Sequence, residues 1–132
     1  MRNINIKTKS KSYQVLIGRD LLENIGQEIL TNIPSSKGTK LCIVTDTNID
    51  SLYADQVEPG EANKDLINYQ AIIDHMSKEE MTRQDMVLAL GGGLVGDLAG
   101  FCAATYQRGL GLVQVPTSLL AMIDSSVGGK TA

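Results

Sequence analysis

Gly91, Gly93 and Gly96 stand in the stretch MVLALGGGLVGDLAGF at the spacing G-x-G-x-x-G. An apolar run that reads as a strand precedes them, and an apolar run that reads as a helix follows. In that context glycines let the backbone turn tightly and approach a pyrophosphate, while the helix amino terminus offers N–H groups and partial positive charge. The same residues could also make a tight strand–helix turn that holds no ligand. Three consecutive glycines cost conformational entropy, which weighs toward a ligand. In an ordinary dinucleotide fold the ribose-binding acid ends the next strand, about 20 residues further on. Here that strand ends in Pro116-Thr117, and the acid that ends a strand is upstream, Asp46 in VTDTN. A dinucleotide would therefore lie across the strand ends in a different order.

A second phosphate-like signal is DSSVGGKTA at residues 124–132. It is not a P-loop. That loop requires a glycine five positions before the second glycine of its GK pair, and this position is Asp124, a carboxylate that repels phosphate. The residues before it also read as a short helix rather than a strand. The stretch therefore serves another purpose.

The elements that must position these residues follow from hydrophobic periodicity. NINIKT and SYQVLIG alternate polar and apolar residues and read as a hairpin. RDLLENIGQEILTNI places Leu21, Leu22, Ile25, Ile29 and Leu30 on one helical face, with Asp20 as N-cap. SSKGTK is a loop. LCIVTD, MVLAL and LGLVQV are apolar runs of the kind found in parallel strands buried on both faces. PGEANKDLINYQAIIDHM is a helix with Leu66, Tyr69, Ile73 and Met76 on one face. VGDLAGFCAAT is apolar nearly all round and reads as a helix buried against a sheet. TSLLAMID is a short helix with Thr117 as its cap. Alternating strands and helices predict an α/β, Rossmann-like, mostly parallel sheet with flanking helices and an N-terminal β-hairpin.

Composition narrows the function. The 132 residues are one domain's worth. The net charge of −3 advertises no nucleic-acid surface. No apolar run is long enough to span a membrane. Met1 leads straight into a polar, strand-like segment with no signal or transit pattern, which places the chain in the cytoplasm. Cys42 and Cys102 sit in apolar runs and read as buried thiols. His75 is the single histidine, and its place late in a helix suits a solvated position rather than a metal ligand. No metal site is expected from this chain alone.

LALGGGLVGDLAGFCAATYQRG, VQVPTSLLAMIDSSVGGKTA, VTDTNI and EPGEANKD together resemble the 3-dehydroquinate synthase family of sugar-phosphate cyclases, which is similar more distantly to the iron-dependent alcohol and glycerol dehydrogenases. The resemblance covers most of the chain and is most specific from Met86 to Ala132. It implies an NAD-dependent lyase with a divalent metal, zinc or cobalt, acting on a seven-carbon sugar-acid phosphate in the shikimate pathway. It further implies a homodimer when full length. By resemblance, Asp46 and Asn48 bind the adenine-side ribose, and Glu61 and Lys64 contact the nicotinamide half. Gly92 and Gly93 cradle the pyrophosphate, Asp97 fixes the nicotinamide end, and Thr117 and Ser118 bind NAD through their hydroxyls. Arg108, Asp124 and Lys130 face the sugar phosphate, so Lys130 reaches a substrate anion rather than ATP. No residue is assigned as the catalytic base.

The chain departs from the family in two ways. The family's metal ligands and helical C-terminal domain come later than residue 132, so residues 1–132 read as an incomplete NAD-binding domain that carries one wall of the active site and is inactive alone. Between Asp46 and Glu61 the sequence is also too short for the helix and strand the family fits there, since a parallel crossover takes about a dozen residues or more. The fold is expected to lack one helix and one strand. Two alternatives stand beside this reading: another sugar-phosphate cyclase or glycerol-dehydrogenase relative, or a non-catalytic dinucleotide-binding or interaction module.

Overall fold

MVLAL has no polar side chain for either face of a sheet, so it must lie inside one. In the computed structural model, which describes residues 1–47, 56–57 and 65–128, this run is β5 (Met86–Gly91), and all six of its residues are buried. The chain forms two compact units, Met1–Ser35 and Ser36–Ala132.

In the second unit, β3 (Leu41–Asp46), β4 (Gln56–Val57), β5 and β6 (Gly111–Pro116) form a sheet in the order β4-β3-β5-β6. Every neighbouring pair is parallel. Side chains alternate across a strand, so Cys42, Val44, Val87, Ala89 and Leu112 face the same way. Two helices cover that face, α2 (Leu66–Lys78) and α3 (Gly93–Thr105). Ile72 and Met76 of α2 join Leu94, Val95, Leu98, Ala99, Cys102 and Ala103 of α3 in one core. Side-chain contacts also tie the two helices and the segments that follow them. The Tyr69 and Phe101 rings lie 5.2 Å apart, the Tyr69 hydroxyl pairs with Thr105 Oγ1 at 3.0 Å, and the Tyr106 hydroxyl donates to Met81 O at 3.1 Å. A short helix, α4 (Leu119–Ile123), follows β6 and buries only Ala121.

Cys42 and Cys102 are both buried and are not joined in a disulfide. Burial, and then the neighbouring Cys42, push the Cys102 thiol up to about 12. Among the described residues no helix is long and apolar enough to cross a membrane.

The first unit holds an antiparallel hairpin of β1 (Arg2–Lys7) and β2 (Ser12–Ile17), in register from Arg2↔Ile17 to Lys7↔Ser12. Its turn is closed by Thr8 N–H donating to Lys11 O at 2.8 Å. The helix that follows, α1 (Ile25–Asn32), begins later than the apolar spacing predicts, with Asn24 rather than Asp20 at its N-cap. Asp20 has a φ of 58° and lies in the turn before the helix, and Asn24 precedes the helix without a side-chain cap hydrogen bond. Leu22 and Leu30 are consequently exposed, and Ile29 is the residue α1 buries.

Beyond β3 the described residues hold only β4, a two-residue stub that pairs Gln56 with Thr45 and Val57 with Asp46, in keeping with the short sequence between Asp46 and Glu61. Two further expectations are revised. Leu66 is exposed rather than part of the buried stripe, as is Ile67, because the first turn of α2 extends past the packed layer. The cap of α4 is Ser118, whose Oγ accepts from Ala121 N–H at 3.3 Å, and not Thr117.

At the opposite, amino edge of the sheet, Asp85 organises the entry to both central strands. Its carboxylate accepts from Thr82 N–H at 2.6 Å, from Lys40 N–H at 2.8 Å and from the Thr82 hydroxyl at 3.1 Å. Burial pushes this carboxyl up, but these hydrogen bonds and the Lys40 charge outweigh it and hold the group below the usual carboxylate range. The folded form thus binds its proton less tightly than the unfolded chain. The resulting stability is complete above the unfolded value, about pH 4, and is lost as pH falls through the lowered folded value. Asp85→Asn is expected to cost about 1–3 kcal/mol at neutral pH, and urea unfolding should show the gap from wild type closing as pH falls below about 4.

Candidate functional site

The site lies along the carboxyl edge of the parallel sheet. Thr45 is level with Leu90, and Leu90 with Val115, so Asp46, Gly91 and Pro116 end their strands side by side. Open α/β sheets bind ligands at this edge because the following helices turn their amino termini toward it. Two hydrogen bonds hold the edge together. The buried Thr45 hydroxyl donates to Leu90 O at 2.7 Å, and Thr117 N–H donates to Gly91 O at 2.9 Å. The second bond fixes the Thr117-Ser118 segment beside the glycine turn.

Gly92 caps α3 in extended backbone, with φ −76° and ψ −167°. The first bond of the helix runs from Gly96 N–H to Gly92 O at 3.1 Å, so the amides of residues 93–95 precede the helical ladder. No acidic side chain lies in the first turn of α3. The positive end of a thirteen-residue helix therefore faces the strand ends without a protein carboxylate of that turn against it.

The glycines divide into two kinds. A Cβ on Gly91 would fall 2.6 Å from Val95 Cγ2, and one on Gly96 would fall 2.7 Å from Gln114 Oε1. Gly91 is required by packing, because the branched Val95 cannot swing away, whereas at Gly96 the end of the Gln114 side chain would have to move. A Cβ on Gly92 would meet Ser118 Oγ at 3.8 Å, and one on Gly93 would meet Ser125 Oγ at 3.5 Å. Those are ordinary contacts, so the protein itself does not require glycine at 92 or 93. Bare backbone at these two positions instead suits close approach by an anion. None of the four has a positive φ, so their role is room rather than an unusual turn.

Of the residues singled out in the sequence, Asp46, Gly92, Gly93, Thr117 and Ser118 come together on this edge. Asp46 is half-buried, and Thr117 and Ser118 are exposed. Asp97 is buried at 4 % exposure on α3, one turn beyond Gly93 and on the same side of the helix. Asp124 is exposed at the C-cap of α4. Arg108 is not brought to these groups. It follows the far end of α3, in a turn where Gln107 and Arg108 have φ of 47° and 66°, and a helix of this length spans about 20 Å. Asn48, Glu61, Lys64 and Lys130 lie outside the described residues. His75 is half-buried in the last turn of α2. Ser125, which the sequence reading passed over, packs against Gly93; the pair of serines before VGGK was its only signal. Among the described residues no group of three or more His, Cys, Asp or Glu side chains could hold a metal ion.

A parallel sheet with a bare glycine turn at its carboxyl edge defines a Rossmann-like α/β protein, and sequence comparison narrows the class. Residues 54–132 match the family described as 3-dehydroquinate synthase N-terminal, and the chain belongs to that family. The 3-dehydroquinate synthase of Clostridium kluyveri is 38 % identical over 148 positions, covering 100 % of this chain and 40 % of the relative. That of Lactiplantibacillus plantarum is 44 % identical over 148 positions, with the same coverage. The chain thus spans about two-fifths of the length of these relatives. The alignments run over 148 positions against a chain of 132 residues, so the relatives carry residues within the matched span that this chain lacks. Among solved structures, a 2-deoxy-scyllo-inosose synthase complexed with carbaglucose-6-phosphate, NAD+ and Co2+ superposes with TM-score 0.82 at 24 % identity, over 94 % of this chain and 38 % of its own. That likeness is one of fold. A 2-epi-5-epi-valiolone synthase from Streptomyces hygroscopicus, with NAD+ and Zn2+ bound, gives 0.77 at 27 % identity over 96 % of this chain and 38 % of its own.

The two kinds of glycine should separate in a stability measurement. Gly91→Ala is expected to lower the free energy of unfolding by about 1–3 kcal/mol, because Val95 must move. Gly93→Ala should be neutral or stabilising by up to about 1 kcal/mol, as alanine favours the helix. Urea midpoints of the two variants check this.

Proposed function

We propose that the chain is the NAD-binding N-terminal part of a 3-dehydroquinate synthase. That enzyme converts 3-deoxy-D-arabino-heptulosonate 7-phosphate to 3-dehydroquinate and phosphate in the shikimate pathway, as a carbon–oxygen lyase. The observation that carries the reading is the amino terminus of α3. Its amides face the strand ends across bare glycine backbone, between Asp46 on one side and Ser118 on the other. The named relatives at 38 and 44 % identity favour this activity over that of the other sugar-phosphate cyclases, which are matched at 24 and 27 %.

The residues present fit the dinucleotide. Asp46, at a strand end, accepts from ribose hydroxyls. The amides of residues 93–95 and the helix dipole hold the diphosphate. Ser118 Oγ accepts the Ala121 N–H, which leaves its own proton available to a ligand. The Thr117 hydroxyl lies beside it on backbone anchored to Gly91. Asp97 sets the nicotinamide end, and Asp124 holds a hydroxyl of the sugar-acid phosphate. Asn48, Glu61, Lys64 and Lys130 take their roles from the family resemblance alone, and Arg108 does not reach this edge within one chain. When bound, NAD supplies reversible oxidation of a ring hydroxyl, which acidifies the neighbouring C–H for loss of phosphate. By the family resemblance, the ligands of the divalent metal, zinc or cobalt, belong to the portion that longer relatives carry.

That portion also accounts for α4. Leu119, Leu120, Met122 and Ile123 are exposed on a helix with no polar residue, a patch of the kind that marks an interface. We assign residues 1–132 to one wall of a two-domain, cytoplasmic enzyme that is a homodimer when full length.

Two outcomes test this. NAD should raise the melting temperature of the 132-residue chain with the logarithm of its concentration. Gly93→Ala should weaken that response while leaving the ligand-free protein at least as stable. A folded chain indifferent to NAD would sink the reading. The chain alone should release no phosphate from the seven-carbon substrate with zinc or cobalt present; metal-stimulated turnover would show that these residues form a complete active site.

A further inference from the structure

Ser125 follows the C-cap of α4 and is 6 % exposed. Its backbone is held on two sides. Gln114 Nε2 donates to Ser125 O at 3.4 Å, and the next residue's amide, Ser126 N–H, donates to Ala121 O at 3.0 Å. Its hydroxyl is another matter. Ser125 Oγ is fully buried and has no hydrogen-bond partner among the described residues. It lies 3.5 Å from the position a Cβ would take on Gly93, the first residue of α3.

A buried hydroxyl without a partner lowers stability, and native proteins rarely keep one without reason. Alanine would fill the same place without that cost. The surroundings say what partner is missing. The hydroxyl is a donor packed against Gly93, the first residue of α3, and Ser118 Oγ lies against the preceding Gly92, 3.8 Å from its would-be Cβ. Donors converging on a helix amino terminus match the oxygens of an anion. A cation there would face the positive end of the dipole.

We propose that Ser125 is a further ligand-binding residue of this site, its hydroxyl donating to a phosphate oxygen held at the amino terminus of α3. The proposal rests on the NAD reading above, and the phosphate oxygen belongs to the dinucleotide diphosphate, since Gly92 and Gly93 form the bare backbone on which that group lies. The role joins two stretches the sequence keeps apart, the glycine turn and the segment carrying Asp124.

Ser125→Ala and Ser125→Cys, the second close in volume but a poor donor, test it in the 132-residue chain. Ligand-free unfolding and titrations with NAD and with inorganic phosphate are measured on each. Both variants should be as stable as wild type or more so without ligand, and should bind NAD about tenfold more weakly. A packing role would instead lower ligand-free stability in Ser125→Ala, and that result overturns the proposal. Unchanged NAD affinity in both variants overturns it as well. If NAD affinity holds but stabilisation by inorganic phosphate is lost, the hydroxyl serves a different phosphate group and the diphosphate assignment fails. If wild type itself ignores NAD, the functional reading has failed, and this inference with it.

Discussion

The packing of α3 against β5 is the contact on which the site depends. From Leu94 to Gly100 every residue of α3 is buried, and β5 is buried on all six positions. A helix with so little polar surface has one stable place, pressed on the inside of a sheet, and a strand with no polar face has one place, between two others. Their connection is only Gly92, so the helix must begin where the strand stops. That geometry aims the α3 amides at the carboxyl edge whatever else the chain does.

Close approach then dictates the composition of the turn. Val95 packs into the space a side chain on Gly91 would need, and Gln114 into that of Gly96. Gly92 and Gly93 lack such a claimant, and the open backbone they leave is where hydroxyls from β6 and α4 gather. Thr117 is drawn in by its bond to Gly91 O, and Ser118 by capping α4. The elements that complete the edge are therefore positioned by ordinary secondary-structure chemistry: a strand end, a cap and a turn.

The opposite edge is built for stability. Asp85 gathers the amides of Lys40 and Thr82, fixing the starts of β3 and β5 level with one another. The site edge has open amides and a bare turn, and the far edge has a satisfied carboxylate. Such a division is expected where binding groups must stay available while the scaffold carries the folding free energy. The exposed apolar residues of α4 break this pattern.

The sequence by itself determined the three long strands and the helices of the second unit, though not the stub β4, and the family. Apolar runs with no alternation could only be parallel strands, the apolar helix could only be buried, and the glycine motif fell between them. Local signals that need a neighbour to interpret them were read less well. Asp20 and Thr117 have cap chemistry, yet the backbone places Asn24 and Ser118 at those positions, because capping depends on φ and ψ as well as on an oxygen. Arg108 looks like a phosphate ligand by type, but α3 carries it to the other end of the sheet. Ser125 carries no assignment in the sequence, and only the folded turn sets its hydroxyl against Gly93. Periodicity is a property of consecutive residues and survives in the sequence. The meeting of residues 93, 118 and 125 comes from strand register and helix direction, which exist only once the sheet has formed.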